Sequence, residues 1–334
     1  MNFMHKGGVK IVSTGSCLPE VKISNNDLSH IVDTSDEWIR SRTGIQERRI
    51  ISNSESLISL ACEASLIATK RAKLAPDELD LIILATSTAD DLFGTASRVQ
   101  ANIQAKNAAA FDITAACSGF LIALITASQF LMTGAYNNIL IIGADTLSQW
   151  VDWNDRKTCV LFGDGAGAVV LQRSNQYNNL IDFKIKTNGE QNHCLNIHGS
   201  FHEIGIQISD LKLRHMSYDY ISMNGQEVYK FAISKIPQII SNCLEKNNLT
   251  ANDVTWLLLH QANERILKTI SDKLNIDETK VLKNLNLYGN TSAASIPIML
   301  DEAVSSNMIK PGDLIVMSGF GAGLTWGVAL IRWS

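Results

Sequence analysis

The chain has 334 residues, enough for two domains of ordinary size or one large α/β unit with a substantial core. Apolar residues make up 46% of it and charged residues only 19%, which is typical of a compact folded protein and excludes a disordered one. The net charge of −4 provides no overall basic field, so nucleic acid and anionic membranes are not expected partners.

The cysteines and histidines do not indicate a metal site. The six cysteines lie far apart and form no CxxC pair, so neither zinc nor a disulfide framework is expected, and a cytoplasmic location is the simpler prediction. Four of the seven histidines fall within 174–220, but their spacing fits no metal motif. The first ten residues contain no apolar leader region, and the most apolar stretch, 120–132, is too short to predict a membrane span.

Strand-like and helix-like segments alternate along the chain. Apolar, β-branched runs predict strands at 9–12, 79–86, 138–143, 159–171, 253–260, 314–318 and 325–331. Helical periodicity and cap residues predict helices at 33–40, 55–73, 97–106, 120–134, 225–247, 262–274 and 287–306. The stretch 174–220 is expected to hold a strand pair with connecting loops. This alternation predicts a parallel sheet covered by helices on both faces.

The segment 111–132 contains the strongest candidate for a reactive residue. Its first residues read as the end of a short buried strand and its last as an apolar helix, so Cys117 falls at a strand-to-helix turn. Backbone N–H groups and the positive dipole end of the helix favour a thiolate there. The small residues on either side of Cys117 leave room for a substrate to reach the sulfur.

A weak internal duplication suggests which residues join Cys117. A shift of about 173 residues lays the strand that ends at Ser87 on the strand that ends at His260, and the turn at Cys117 on the turn at Asn290. Two similar halves would bring Cys117, His260 and Asn290 together at the carboxyl ends of buried strands, where α/β sheets carry their sites.

This trio is suited to thioester chemistry. His260 could take the proton of Cys117 or stabilise its thiolate. Alternatively, His260 and Asn290 could both donate to one thioester oxygen and hold the enolate that forms when a malonyl group loses CO₂. A cysteine hydrolase remains open, because a Cys–His–Asn set also occurs in papain-like proteases.

Several motifs resemble those of the β-ketoacyl-acyl-carrier-protein synthase III family of the thiolase superfamily. They are FDITAACSGF around Cys117, LLLHQANERI around His260, LYGNTSAASIP around Asn290 and GFGAGLTWG near the end. The resemblance implies a thiolase-like, duplicated five-layer α-β-α-β-α fold with mixed sheets. It also implies an N-terminal half at 1–173, a C-terminal half at 174–334, and a homodimer.

The same resemblance implies a function and a set of site residues. The family makes acetoacetyl carrier protein from acetyl-CoA and malonyl carrier protein, so an acyl-CoA and a malonyl acyl carrier protein are the implied substrates and no cofactor is needed. Cys117 would be acylated, and the backbone N–H groups of Cys117 and Ala322 would form the oxyanion hole. Phe93 would reach across the dimer to the acyl pocket of the partner, and Arg265 and Lys230 would dock the carrier protein. The implied contacts with coenzyme A come from Thr34, Trp38, Arg42 and Arg156.

The sequence departs from the family pattern in three places. Gly94 follows Phe93 where proline is usual, and the loop 188–216 differs. Arg265, Lys268 and Lys273 lie on one predicted helix and form a basic patch with Lys230, but Asp272 next to Lys273 makes this patch less basic. Primer length and pathway therefore stay open. The alternatives are a related enzyme of quinolone or polyketide biosynthesis and, from another class, a catalytically silent binding or scaffold subunit.

Overall fold

The computed structural model describes residues 7–208 and 211–334. The strands are β1 Gly8–Cys17, β2 Val21–Ser24, β3 Glu47–Ile50, β4 Leu81–Ala85, β5 Ala109–Ile113, β6 Asn138–Thr146, β7 Asp164–Ser174, β8 Leu180–Thr187, β9 Leu195–Ile208, β10 Leu211–Met223, β11 Trp256–Leu259, β12 Leu314–Gly321 and β13 Thr325–Arg332. The helices are α1 Asn25–Leu28, α2 Asp36–Thr43, α3 Leu57–Ala72, α4 Ala96–Asn102, α5 Gly119–Thr133, α6 Gly225–Lys246, α7 Glu264–Leu274, α8 Leu285–Tyr288 and α9 Ser295–Ser305.

Two sheets form the frame, and the four strands of the second repeat the arrangement of the first four strands of the first, which has β5 in addition. The first has the order β1-β7-β6-β4-β5, and the second reads β8-β13-β12-β11. In the first sheet β4 runs parallel to β5 and β6, while β7 is antiparallel to β6 and β1. In the second, β11 runs parallel to β12, and β13 is antiparallel to both β12 and β8. The expectation of a parallel sheet was therefore wrong, because the last strand of each sheet returns antiparallel.

The helices complete five layers. Helix α3 packs on the outer face of the first sheet, and α6 and α7 pack on the outer face of the second. Helices α5 and α9 lie between the sheets and contact strands of both. This confirms the predicted thiolase-like α-β-α-β-α fold with mixed sheets. The exact boundary between the two halves stays a prediction.

Helix α5 is apolar because it lies in the central layer. With the preceding turn it is long and apolar enough to span a membrane by length and composition, contrary to the expectation of a stretch that is too short. Most of that segment is buried inside the protein, as are Phe120, Leu121 and Leu124. A core helix of a large domain accounts for its composition.

Two strand predictions need correction. The residues before Cys117 form β5, an edge strand in which Phe111 is 38% exposed, so it is not a buried strand. The predicted strand at 159–171 begins only at Asp164, because residues 155–161 form successive turns and Phe162 makes only an isolated bridge, to Asn290. In the stretch 174–220, β8 joins the second sheet, and β9 and β10 form a long hairpin.

The packing of α5 between the sheets predicts a large loss of stability for Leu121→Ala. Leu121 is fully buried and lies against Gly319 of β12 and Gly327 of β13, where no side chain can fill the space it leaves. We expect the free energy of unfolding in urea to fall by about 2–5 kcal/mol. Leu66→Ala, at a residue 41% exposed on α3, should change it by less than about 1 kcal/mol. Equal effects of the two substitutions would contradict this packing.

Candidate active site

Cys117 lies in a sharp turn between β5 and α5. The 3₁₀ turn Ala116–Ser118 precedes the helix, and Ala116 adopts a positive φ of 46°, which a residue other than glycine rarely does. This turn is the strand-to-helix elbow that the sequence predicts. Backbone strain of this kind is typical of functional sites, because it aims the next side chain in a direction that a relaxed turn would not.

The end of β12 approaches Cys117 with no side chain between them. A Cβ atom on Gly321 would lie 2.9 Å from both the backbone nitrogen and the Cβ of Cys117, so only glycine fits there. Ala322 and Gly323 follow directly and line the same cavity as Cys117. The glycine-rich loop thus brings backbone from the second sheet against the candidate nucleophile.

The thiol of Cys117 is protonated in the resting protein. The residue is 6% exposed, and burial raises the pKa of its thiol to about 12; the hydrogen bond to Ser292 opposes this increase and the nearby Asp145 adds to it. The sequence-based expectation of a thiolate at the helix end was therefore wrong, because removing the sulfur from water outweighs the other effects. Activation has to come with the substrate or from a proton acceptor.

His260 follows β11 and is held as a neutral base. It is 1% exposed, and burial lowers the pKa of its imidazole to about 3. Its Nδ1 lies 2.7 Å from Ser295 Oγ, which also accepts from the Gln261 N–H at 3.4 Å. Since that N–H can only donate, the described acceptor for the Ser295 hydroxyl proton is Nδ1. His260 therefore carries its proton on Nε2, where it can be donated.

Asn290 is fixed by its own backbone and by its side-chain oxygen. Its N–H donates to the Leu161 carbonyl at 2.8 Å, and its carbonyl accepts from the Gly163 N–H at 3.0 Å. Its Oδ1 accepts from the Ser292 N–H at 2.9 Å. With the oxygen engaged in this way, the Nδ2 amide group is left to donate to a ligand.

The structure brings Cys117, His260 and Asn290 together around one cavity. All three line a space of about 120 Å³, together with Gly321 and Phe320, whose ring meets the His260 ring edge-on at 5.2 Å. Cys117 also lines a second, larger cavity of about 930 Å³ on the side of β5. The sulfur thus lies where two cavities meet, and each could hold one of two reacting groups.

The turn near Asn290 differs from the one that the duplication predicts. The structural counterpart of the elbow at Ala116–Ser118 is the 3₁₀ turn Ser292–Ala294, which precedes α9 and begins with a positive φ of 50° at Ser292. Ala293, not Asn290, thus matches Cys117. The sequence analysis also missed Ser292 and Ser295, because serines before a helix read as ordinary caps.

The predicted coenzyme A residues form one surface cluster. The Arg42 and Arg156 guanidinium carbons lie 4.9 and 5.4 Å from the Trp38 ring centroid. Arg156 also donates to the Asp33 carbonyl at 3.0 Å. The Thr34 hydroxyl is buried and has no hydrogen-bond partner among the described residues. The cluster therefore combines a stacking face, positive charge and an unsatisfied polar group.

The predicted docking cations are largely paired within the protein. Lys230 lies 2.9 Å from Glu227, and Arg265 Nε donates to the Ser41 carbonyl at 3.0 Å. Lys268 Nζ lies 3.3 Å from an oxygen of Asp272, so this carboxylate pairs with one cation of the predicted basic patch. The carboxylate partners of Lys230 and Lys268 reduce the attraction that these two lysines provide, whereas the carbonyl partner of Arg265 leaves its charge intact.

Phe93 and its neighbour project from the surface beside the larger cavity. Phe93 is fully exposed and Leu92 is 80% exposed, and both line that cavity. The unpaired edge of β5 lies on the same side, since Phe111 and Asp112 line the cavity as well. Gly94 has a φ of 125°, and a side chain there would meet open space, so nothing described packs against the outer side of this turn.

Within the described ranges, no group of three or more His, Cys, Asp or Glu side chains has the arrangement of a metal site. His202 and His215 stack against each other across the hairpin of β9 and β10, with their ring centroids 5.2 Å apart.

The fold and this site place the chain among the thiolase-fold condensing enzymes, which are acyltransferases. The sequence model of the 3-oxoacyl-[acyl-carrier-protein] synthase III family matches residues 111–189, and that of the family's C-terminal part matches residues 244–333. The chain is 54% identical over 332 residues to a β-ketoacyl-[acyl-carrier-protein] synthase III from Trichormus variabilis, covering 99% of both chains.

Solved structures agree with this. The 3-oxoacyl-[acyl-carrier-protein] synthase III from Aquifex aeolicus is 46% identical with a TM-score of 0.89, covering 98% of this chain and 100% of that one. The priming β-ketosynthase of the R1128 polyketide biosynthetic pathway is 28% identical with a TM-score of 0.89, covering 100% and 98%. The chain belongs to the 3-oxoacyl-[acyl-carrier-protein] synthase III family, as its motifs predicted.

The buried, neutral His260 predicts a pH dependence of stability. Its pKa is about 3 in the folded protein and near 6.5 when unfolded, so the unfolded chain binds more protons between these values. Stability should therefore rise as the pH rises from about 4 to 6.5, by up to about 1.4 kcal/mol per pH unit, and level off above pH 7. Urea unfolding of the wild type and His260→Gln at several pH values measures this.

The difference in unfolding free energy between wild type and His260→Gln should widen in favour of the wild type as the pH rises. His30→Gln, at an exposed histidine, should leave the wild-type pH dependence unchanged. A constant difference between wild type and His260→Gln across pH 4–7 would show that His260 is not buried as the free base.

Proposed function

We propose that this protein condenses an acyl-CoA primer, expected to be acetyl-CoA, with malonyl acyl carrier protein in a decarboxylating Claisen reaction that initiates fatty-acid synthesis. The position of Cys117 between two cavities, with His260 and Asn290 in the smaller one, carries this proposal. An acyl-cysteine intermediate needs room for an acyl chain on one side and for an incoming thioester on the other. The names of the most similar relatives support the same reaction.

In the first half-reaction, Cys117 attacks the carbonyl of the acyl-CoA. A bond forms between Sγ and the carbonyl carbon, and coenzyme A leaves as its thiol once it has taken up the proton that Cys117 gives up. The oxyanion would be held by the backbone N–H groups of Cys117 and Ala322, which the side-chain-free approach of Gly321 allows to face one point. The acyl chain would then extend into the larger cavity.

In the second half-reaction, the malonyl thioester would enter the smaller cavity. Loss of CO₂ leaves an enolate, and the Nε2–H of His260 and the Nδ2–H of Asn290 are two neutral donors suited to its oxygen. The enolate carbon then attacks the acyl-Cys117 carbonyl and expels the Cys117 thiolate, which takes up a proton from solvent to restore the thiol. Because His260 is held neutral, it donates a hydrogen bond without creating a buried cation that would stabilise the malonyl carboxylate before it leaves.

The surface cluster around Trp38 is proposed as the site for the nucleotide part of coenzyme A. An aromatic ring and two guanidinium groups suit a purine and its phosphates. The buried, unpaired Thr34 hydroxyl is the kind of group that a bound ligand would satisfy. No further cofactor is needed, because coenzyme A enters as part of the substrate.

A homodimer is proposed because one chain leaves the larger cavity incomplete. The exposed Phe93, the exposed Leu92 and the free edge of β5 border that cavity on one side. A second copy placed there would cover apolar surface that a lone chain leaves in water. Phe93 of each chain could then close the acyl pocket of the other. A cytoplasmic location remains part of the proposal.

Arg265 and Lys230 are proposed as the docking point for the acidic carrier protein. They lie next to residues that line the smaller cavity, since Asn263 precedes Arg265 by two positions and Tyr229 directly precedes Lys230. Both cations have partners within the chain, so they would contribute to steering more than to affinity.

The other functions are less well supported. A hydrolase would need a site for water, whereas His260 and Asn290 are both buried and arranged as donors. A role in a polyketide pathway is supported by a solved structure with 28% sequence identity to this chain. The synthase III from Trichormus variabilis, which supports the fatty-acid role, has 54% sequence identity. Intact-mass spectrometry after exposure to a panel of acyl-CoAs identifies the primer, and a silent scaffold would take up none of them.

The two half-reactions should separate in site variants. We expect His260→Ala and Asn290→Ala to form acyl-Cys117 from acetyl-CoA nearly as the wild type does, but to lose condensation with malonyl carrier protein by about 100-fold or more, because enolate stabilisation is lost. Intact mass measures acylation, and a radiolabelled acetoacetyl product measures condensation. Cys117→Ala should lose both activities.

His202→Ala, at an exposed histidine of the hairpin, serves as the matched control and should keep both activities. Wild-type protein that is acylated by acetyl-CoA but yields no acetoacetyl product would refute the condensation and leave only acyl transfer.

The stacking cluster predicts a selective effect on acyl-CoA binding. Arg42→Ala should raise the KM for acetyl-CoA by about tenfold with kcat nearly unchanged, because it removes a cation near the Trp38 ring and the phosphates. Arg40→Ala removes an exposed arginine of the same helix that pairs with Asp36, and should leave KM unchanged. A similar KM for acetyl-CoA in both variants would mean that the nucleotide part of coenzyme A binds elsewhere.

A further inference from the structure

A buried arginine lies next to the chain segment that holds Asn290. Arg48 of β3 is 0% exposed, and burial lowers the pKa of its guanidinium only to about 10, so the side chain is charged at neutral pH. No carboxylate of the described residues forms an ion pair with it. A buried cation without an anionic partner costs free energy of folding, and a role in positioning other groups would account for it.

The guanidinium group of Arg48 donates to three oxygens from two parts of the chain. Its Nη1 donates to the Ile23 carbonyl at 3.2 Å, and both Nη1 and Nη2 donate to Asn25 Oδ1 at 2.9 Å. Its Nη2 also donates to the Val160 carbonyl at 2.8 Å. Asn25 is itself buried and fixed, because its Nδ2 donates to the Ile45 carbonyl at 2.7 Å. The guanidinium therefore ties Val160 to a rigid part of the first half of the chain.

Val160 begins a short segment, 160–163, that pairs with the backbone of Asn290. The Leu161 carbonyl accepts from the Asn290 N–H at 2.8 Å, and the Gly163 N–H donates to the Asn290 carbonyl at 3.0 Å. Phe162, between them, forms a parallel bridge with Asn290. These are the two backbone hydrogen bonds of Asn290 among the described residues. The position of the segment 160–163 therefore sets the position from which the Asn290 side chain projects.

The aliphatic part of Arg48 packs against the same place. A Cβ atom on Gly163 would lie 3.3 Å from the Arg48 Cβ and 2.2 Å from the Tyr288 carbonyl oxygen. A Cβ atom on Gly289, which has a φ of 66°, would lie 3.4 Å from the Arg48 Cβ and 2.7 Å from the Leu161 carbonyl oxygen. The two glycines thus let the segment 160–163 and the turn before Asn290 lie against each other and against Arg48.

We propose that Arg48 is a positioning residue for the condensation step, which holds the segment 160–163 so that the Asn290 amide points at the enolate oxygen. Arg48 is not among the residues that line either cavity, so it acts through Val160 and the backbone of Asn290. This inference rests on the proposed function, in which Asn290 acts only after Cys117 has been acylated. The effect of Arg48 should therefore be confined to the second half-reaction.

A charged and planar donor is suited to this role. Hydrogen bonds from a cation are stronger than those from a neutral group, and the guanidinium fixes the directions of several acceptors at once. Lysine at this position keeps the charge but has one nitrogen, which cannot hold Asn25 and Val160 as the two Nη atoms of arginine do. Methionine keeps an unbranched side chain without any N–H donor. Arg48→Lys and Arg48→Met therefore separate the charge from the geometry.

The test measures the two half-reactions separately in wild type, Arg48→Lys and Arg48→Met. Intact mass follows acylation of Cys117 by saturating acetyl-CoA, and a radiolabelled acetoacetyl product follows condensation of the acylated protein with malonyl carrier protein. In both variants we expect acylation within about twofold of wild type and condensation slower by about tenfold or more, because the Asn290 amide is then misplaced relative to the enolate oxygen. Urea unfolding confirms that each variant is folded.

A double variant and a neighbouring arginine make the comparison specific. In Asn290→Ala protein, adding Arg48→Met should slow condensation by less than about twofold, because the amide that Arg48 positions is already absent. Arg49→Met is the matched control, since Arg49 lies on the same strand and its Nη1 donates to the Pro19 carbonyl at 2.9 Å and the Glu20 carbonyl at 3.3 Å. This variant should keep both rates.

Equal losses of acylation and condensation in the Arg48 variants, or a full additional loss in Asn290→Ala protein, would show a merely structural role and overturn the proposal. Unchanged condensation would overturn it as well. If Arg48→Met does not fold, Arg48→Lys decides the matter, and failure of both to fold would show that Arg48 serves folding and not Asn290. A wild type that is not acylated, or yields no acetoacetyl product, would instead overturn the proposed function, and this inference with it.

Discussion

The close approach of β12 to the elbow at Cys117 is the contact on which the site depends. Gly321 lies where any side chain would collide with the backbone and Cβ of Cys117, so the two sheets meet there through main chain alone. This contact sets the glycine loop beside the sulfur and leaves cavities on both sides of it. The helices packed between and outside the sheets fix the distance between the two sheets, and this distance in turn fixes the position of the glycine loop relative to Cys117.

Burial then decides the protonation states in the site. The same removal from water raises the pKa of Cys117 and lowers that of His260, so both groups rest uncharged. A neutral thiol needs a route for its proton, and a neutral imidazole is a donor that does not attract the malonyl carboxylate. Burial also raises the pKa of Asp145, whose carboxyl is enclosed by hydrogen-bond donors from two segments, 86–88 and Ala293.

Much of the fold could be predicted from the sequence, because it follows from local patterns. The apolar run of β4, the amphipathic α3 and the elbow at Cys117 depend on residues within one segment. The antiparallel return of β7 and β13 and the exposed edge at Phe111 depend on which strand lies beside which, and a single segment carries no signal for that. The gathering of Cys117, His260 and Asn290 was predicted from the duplication, which relates distant segments, and from the family motifs around each residue.

What the sequence could not reveal is the part of the site made by ordinary residues. Ser292 and Ser295 look like a cap and a helix start, and their importance arises only when folding places them against a sulfur or an imidazole. The expectation of a thiolate failed for a related reason: it counted the helix end near Cys117 but not the water that folding removes. In a site with so little water, the protonation state of a reactive group depends less on the turn that carries it than on its burial and its few hydrogen bonds. In this protein the thiol keeps one, to Ser292, among the described contacts.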